Sequence, residues 1–195
     1  PYALFGVAMG WALASKINTA PLVVLLPGAA LISYLKLNSE QREHLASTYL
    51  RNLVIAGILC LLTFRIFQPY AFTGPTFFHV IPSQKWIDTM EDLAAQSGGD
   101  VDFPPALQWA RRPIWFSGQN MIVWGLGLPL GLLSVAGFLW MGRRVFIKGE
   151  WHKHALLWGW TGVYFVWQST LLSRTMRYQL LIYPTLAIIA AWAVF

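Results

Sequence analysis

The sequence is short of charge and nearly without cysteine. Only 11% of its residues are Asp, Glu, Lys or Arg, where a soluble domain carries about a quarter. With 56% of residues hydrophobic, this shortage excludes an ordinary water-facing surface over the whole chain. The single cysteine, Cys60, excludes a disulfide framework and a cysteine-built metal site. No glycine-rich phosphate loop and no His-Glu-x-x-His pattern occur, which removes two common signatures of nucleotide and zinc chemistry. A secretory leader is missing too, since no basic segment precedes an apolar stretch with a small-residue cleavage site. The net charge is +6, but the basic residues are scattered between apolar segments and form no stripe, so no nucleic-acid partner is expected. In such a chain Lys and Arg set topology instead.

What the sequence has is apolar runs and aromatics. A bilayer core about 30 Å thick needs about 20 apolar residues at 1.5 Å each. Six runs approach that length: 1–14, 20–35, 49–67, 119–141, 155–172 and 178–195. Backbone groups inside a bilayer must pair within their own segment, so the runs are expected to be helices. Strict alternation, the mark of a transmembrane barrel, is missing. The fold class expected is therefore all-α, a polytopic transmembrane bundle of about six spans with one long external loop at 68–118. The 11 Trp and 7 Tyr suit the membrane interface. Pro27 and Pro129 fall inside runs and are expected to bend them. Gly125, Gly127 and Gly131 beside Pro129 point to a close, kinked helix contact. The sequence begins at Pro1 and ends at Phe195, each inside an apolar run, and reads as a piece of a larger protein.

Orientation follows from the loops. The segment 142–154 holds Arg143, Arg144, Lys148 and Lys153 against one acid, Glu150, and is expected to be cytoplasmic. Alternation then makes 68–118 external, with the breaks at Lys16 and at Arg174–Arg177, in a multi-pass plasma-membrane protein. The long loop carries six prolines and five acids, too much sequence for a mere connector. Within it Lys85–Gln96 places Trp86, Ile87, Met90, Leu93 and Ala94 on one face of a short amphipathic helix, suited to lie on a membrane.

Candidate functional residues lie on the expected outer side. Lys16, Arg111, Arg112, Arg174 and Arg177 are cations at the bilayer edge, where topology does not call for them. Arg donates two parallel hydrogen bonds to a phosphate. Together they form a candidate site for a lipid phosphate; singly, each reads better as a snorkelling anchor. Asp100 and Asp102 are candidates for a general base or for a divalent metal, or are solvated loop charges. Gln108 and Trp109 form a candidate sugar-contact pair, an amide beside an aromatic face, while Trp109 also suits a headgroup anchor. His152 and His154 read as loop residues, and His79 is isolated.

Several segments resemble membrane glycosyltransferases of the GT-C superfamily. Gly6–Lys16, Gly-Val-Ala-Met-Gly-Trp-Ala-Leu-Ala-Ser-Lys, is similar to that superfamily's span-plus-lysine pattern. Arg174–Pro184, Arg-Thr-Met-Arg-Tyr-Gln-Leu-Leu-Ile-Tyr-Pro, resembles its late motif. Arg65–Phe72 and Gln108–Pro113 are similar to a bacterial and archaeal branch related to protein O-mannosyltransferases and aminoarabinose transferases. The resemblance runs over nearly the whole chain. It implies transfer of a sugar from a polyprenyl-phosphate donor to an acceptor on the external face. It implies that Lys16, Arg174 and Arg177, with Tyr178, neutralise the leaving phosphate, and that Tyr70 joins the sugar or acceptor contacts. The superfamily's usual catalytic acid lies after its first span and is expected upstream of Pro1, in a missing N-terminal part of the same protein. Some members use a divalent metal and others none, so the resemblance assigns no cofactor. The alternatives are a non-catalytic membrane subunit or scaffold packed in a larger complex, and a lipid transporter or flippase.

Overall fold

The structure is a computed structural model that describes residues 1–74, 76–99 and 104–195, with Pro105, Ala106 and Ala110 described by their backbone alone. The described residues are helical throughout, apart from turns and one isolated bridge between Phe72 and Pro82. The chain divides into two compact units, Pro1–Asp92 and Leu93–Phe195.

In the first unit α1 (Tyr2–Ser15) packs along α3 (Ser39–Phe67). Small residues make this possible. A Cβ at Gly6 would meet the backbone of Ala56, and one at Gly10 would meet the Cys60 carbonyl and the Thr63 side chain. Two glycines four apart thus let the backbones touch, as in close-packed membrane helices. Between these helices Ile17–Val24 winds as a 3₁₀ stretch leading into α2 (Leu25–Leu35). The bend expected at Pro27 is instead this change of winding. Pro27 lies in the first turn of α2, where a missing N–H costs nothing, and the chain ahead of it tightens.

Helix α3 has 29 residues and a length of about 44 Å, more than a bilayer core of about 30 Å. It starts ten residues before the apolar run begins. Asn38 explains the start, because its side chain accepts from the Gln41 amide at 2.8 Å while the Gln41 side chain accepts from the Asn38 amide at 3.3 Å. This reciprocal cap launches a helix through polar residues of good propensity. Beyond α3, Pro69–Ala71 forms one 3₁₀ turn. The loop that follows closes through Thr73 N–H to Ile81 O at 2.8 Å and Ser83 N–H to Ala71 O at 2.8 Å.

The expected amphipathic helix is α4 (Gln84–Gly98), ended by Gly99 at φ +90°. Trp86, Ile87 and Met90 are half-buried, whereas Leu93 and Ala94 of the same expected face are exposed.

In the second unit α5 (Pro104–Ala110) precedes α6 (Phe116–Asn120), which continues as a π-wound turn over Met121–Gly125. The chain then breaks at Gly127, φ +76°, and restarts as α7 (Leu128–Phe146). The apolar run 119–141 is therefore not one continuous helix. Gly127 supplies a backbone conformation that other residues resist. Pro129 sits in the first turn of α7, where its ring is tolerated, and so begins a helix and does not kink one.

Helix α8 (Trp151–Thr170) packs on α7, with Trp158 Nε1–H donating to Phe138 O at 3.0 Å. A 3₁₀ stretch, Met176–Ile182, leads into α9 (Tyr183–Val194). A Cβ at Gly137 would lie 2.8 Å from Ile189 O, so α7 and α9 also meet through a glycine. Ser134 is buried at this contact and donates to Leu130 O at 2.7 Å and Leu186 O at 3.2 Å.

Among the described residues, three stretches are long and apolar enough to cross a membrane: Ile17–Leu35, Ser39–Phe67 and Met176–Val194. Helices α7 and α8, with 19 and 20 residues, match the length but are less apolar, since Arg, His and Trp interrupt them. Their connection is held by Glu150, which pairs with Arg144 at 3.0 Å, His154 at 3.6 Å and Lys153 at 3.7 Å. The Arg144 hydrogen bond holds the Glu150 carboxyl below its usual range.

Three outcomes are expected. Gly10→Leu should lower the thermal midpoint of the detergent-solubilised protein, by about 1–3 kcal/mol of overpacking. Gly57→Ala, at a position with open space around it, should be neutral or slightly stabilising. A carboxyl whose pKa is lowered by folding stabilises above its ordinary value near ~4.3, and that support disappears as pH falls through the lowered value. Glu150→Gln should therefore melt earlier than the parent at neutral pH, and the two should converge in acid.

Candidate functional site

Helix α8 stops at Thr170 because the chain turns extended at Leu171. Its last carbonyls need donors. Arg174 supplies one: its Nε–H donates to Ser169 O at 3.1 Å, while its Nη1 donates to Arg112 O ahead of α6. Ser117, buried at the start of α6, donates in turn to Arg174 O at 3.2 Å. Two segments distant in sequence, 112–117 and 169–177, are thereby brought together. Arg112 folds over the Phe116 ring at 4.8 Å, and Trp109 leans on the same ring at 5.9 Å.

Arg111, Arg112 and Arg177 are exposed and Arg174 is half-buried. Among the described residues no carboxylate pairs with any of them, the ion pairs being those at Glu150. Arg174 has committed Nε and Nη1 and retains Nη2. This place can therefore receive an anion, with Arg174 positioning the turn and the exposed arginines facing outwards.

Beneath the turn lies a buried polar row. Gln179 is fully buried, and its amide donates to Ser169 Oγ at 3.2 Å and Phe165 O at 3.4 Å. Tyr164 donates to Tyr178 O at 2.8 Å, and Thr161 donates to Thr185 Oγ1 at 2.8 Å. These contacts anchor the 3₁₀ stretch and the start of α9 to α8. An apolar groove of about 830 Å³ adjoins it, lined by Gly118, Met121, Phe138, Trp158, Phe165 and Thr170 among others. Gly118 and Thr170 are the chain neighbours of Ser117 and Ser169, so one end of the groove lies where Arg174 is held.

The other candidate residues divide by unit. Gln108 is exposed and Trp109 half-buried in the second unit, so this pair stands beside Arg112. Lys16, with a partner of its own, belongs to the first unit, as does Tyr70, which is 86% exposed. Tyr178 is half-buried, and its carbonyl takes the Tyr164 hydroxyl. Asp100 and Asp102 lie outside the described residues. No three His, Cys, Asp or Glu side chains gather into a metal site among the described residues.

Sequence reasoning passed over Ser117, Ser169 and Gln179. A signal was present, since Ser169 and Gln179 interrupt apolar runs, and a polar side chain there needs an internal partner. Arg65 has no role in the sequence reading beyond the Arg65–Phe72 resemblance. That residue is 8% exposed and donates to Thr76 O at 2.9 Å.

Arg174→Met should free the carbonyls of Ser169 and Arg112, at about 1.5–3 kcal/mol for bonds to a charged donor. The readout is faster amide hydrogen exchange over 171–177, and Ser117→Ala should shift it the same way by a smaller amount. Set beside known proteins, the chain matches no protein-family model, no curated sequence and no solved structure, so the meaning of this arginine turn has to come from its own chemistry.

Proposed function

We propose that the second unit holds the phosphate head and part of the tail of a lipid carrier, within a membrane glycosyltransferase that moves a sugar from a polyprenyl-phosphate donor to an acceptor. The observation that carries this reading is an apolar groove, one end of which lies where Arg174 is held, beside arginines that no carboxylate neutralises among the described residues. A polyprenyl phosphate has the matching form, a long apolar tail ending in a compact anion. Arg112 and Arg177, with the remaining Nη2 of Arg174, would neutralise the phosphate as the sugar leaves it. Donors placed where charge develops supply much of the rate in such reactions. Gln108 and Trp109, next to Arg112, would touch the sugar.

The same reading orients the chain. Helix α8 has 20 residues and a length of about 30 Å, the thickness of a bilayer core. Its first turn carries the basic cluster around Glu150, and its last turn meets Arg174. The positive-inside rule puts the Arg143–Lys153 segment in the cytoplasm and the Arg174 turn outside. The groove then descends from the outer headgroup level into the hydrocarbon, as a lipid tail does. In this reading all six apolar runs belong to a multi-pass membrane domain.

The test is sugar transfer in reconstituted full-length protein with a polyprenyl-phosphate-linked sugar. Arg177→Ala should lower kcat/KM by about 100-fold, in the range seen on removing one charge-stabilising donor, with unchanged thermal stability. Unaltered transfer would remove the residue from the phosphate site. Binding of polyprenyl phosphate in nanodiscs, weakened in Arg112→Ala, gives a readout independent of turnover.

A further inference from the structure

The first unit contains a second cationic place, formed where α3 ends. Arg65 occupies the last turn of α3 and is 8% exposed. Its Nη2 donates to Thr76 O at 2.9 Å and its Nη1 reaches Pro69 O at 3.5 Å, while its buried Nε has no partner among the described residues. The guanidinium lies 4.9 Å from the centre of the Phe72 ring and 5.7 Å from that of Phe77. A buried charge without a counter-charge is costly, and two carbonyls and two ring faces offset only part of the lost hydration.

This arginine lines a cavity of about 610 Å³ together with Lys85, Trp86, Tyr70, Ser83 and Thr89. No carboxylate is among the described residues that line it. Asp88, on the same helix as Lys85, is engaged by the Gln84 amide at 2.8 Å. The first turn of α4, whose leading N–H groups have no intrahelical acceptor, adds positive potential at the wall. Cation chemistry, hydroxyls and aromatic faces thus surround one space.

We propose that this cavity binds a phosphate ester carried on a sugar ring. Arg65 and Lys85 hold the phosphate oxygens. Trp86 and Tyr70 offer their faces to the ring, and Ser83 and Thr89 meet its hydroxyls. The volume lies within the usual range for small-ligand sites, about 300–1,000 Å³. The inference uses first-unit residues alone and does not depend on the arginine turn of the second unit.

The experiment is calorimetric titration of the full chain, in phosphatidylcholine nanodiscs, with glucose 1-phosphate, and with methyl glucoside as the neutral comparison. The Arg112→Ala/Arg177→Ala double variant serves as background, so that two of the arginines proposed to hold phosphate in the second unit are removed from the signal. Glucose 1-phosphate should bind and methyl glucoside should not. Lys85→Met, on an exposed side chain, should weaken binding by about tenfold, the scale of one charge-assisted bond. Arg65→Met should weaken it further, and Arg65→Lys should restore part of it. Displacement of glucose 1-phosphate by a polyprenyl-phosphate-linked sugar would identify the natural source as a lipid, and failure to displace would identify a soluble sugar phosphate. Binding unchanged in Lys85→Met, or methyl glucoside binding as tightly as its phosphate, would overturn the proposal. Loss of binding in Lys85→Met combined with normal transfer in Arg177→Ala would keep this site and remove the function proposed for the second unit.

Discussion

Backbone carbonyls cannot be left unpaired in an apolar setting, and this chain meets that demand in a recurring way. Helices pair most of them internally. Near the ends of α2, α3 and α8 an arginine from nearby sequence takes up carbonyls that the helices leave over. Arg42 donates to Leu35 O at 2.6 Å at the end of α2. Arg65 takes Thr76 O in the loop after α3, and Arg174 takes Ser169 O in the last turn of α8. Each bond from a charged donor is worth about 1.5–3 kcal/mol where the acceptor is otherwise stranded. The positions of these arginines therefore govern where helices end and which loops come together.

The same arrangement makes anion chemistry available. A guanidinium has five N–H donors in a planar fork. Arg174 and Arg65 spend some on carbonyls and remain charged, with no acid against them among the described residues. A cation fixed by carbonyls on one side is pre-oriented on the other, so an arriving phosphate has little ordering to impose. Structural capping and ligand binding are in this sense one feature seen from two sides.

Much of the helix pattern was legible in the sequence. The runs 1–14 and 155–172 became α1 and α8 with shifts of a few residues, and Lys85–Gln96 lies within α4. Local winding was less so. The run 119–141 has a single apolar character, yet Gly127 breaks it, because hydropathy does not register a positive φ. Pro27 and Pro129 mark helix starts, which their ring also permits. The start of α3 at Ser39 depended on the Asn38–Gln41 cap, a signal that hydropathy hides beneath polar residues.

Composition and order alone determined that the chain is helical, apolar and short of acids, because those properties need no knowledge of neighbours. They also placed Arg111, Arg112, Arg174 and Arg177 near helix ends. What each arginine touches was decided only by tertiary structure. A hydrogen bond between residues 62 apart, from Arg174 to Arg112, depends on where α6 and α8 bring their ends. The burial of Ser117 and Gln179, and the cavity around Arg65, depend likewise on packing permitted by small residues such as Gly6, Gly10 and Gly137. Periodicity tells which face a residue occupies, but only the approach of a second segment gives that face a partner.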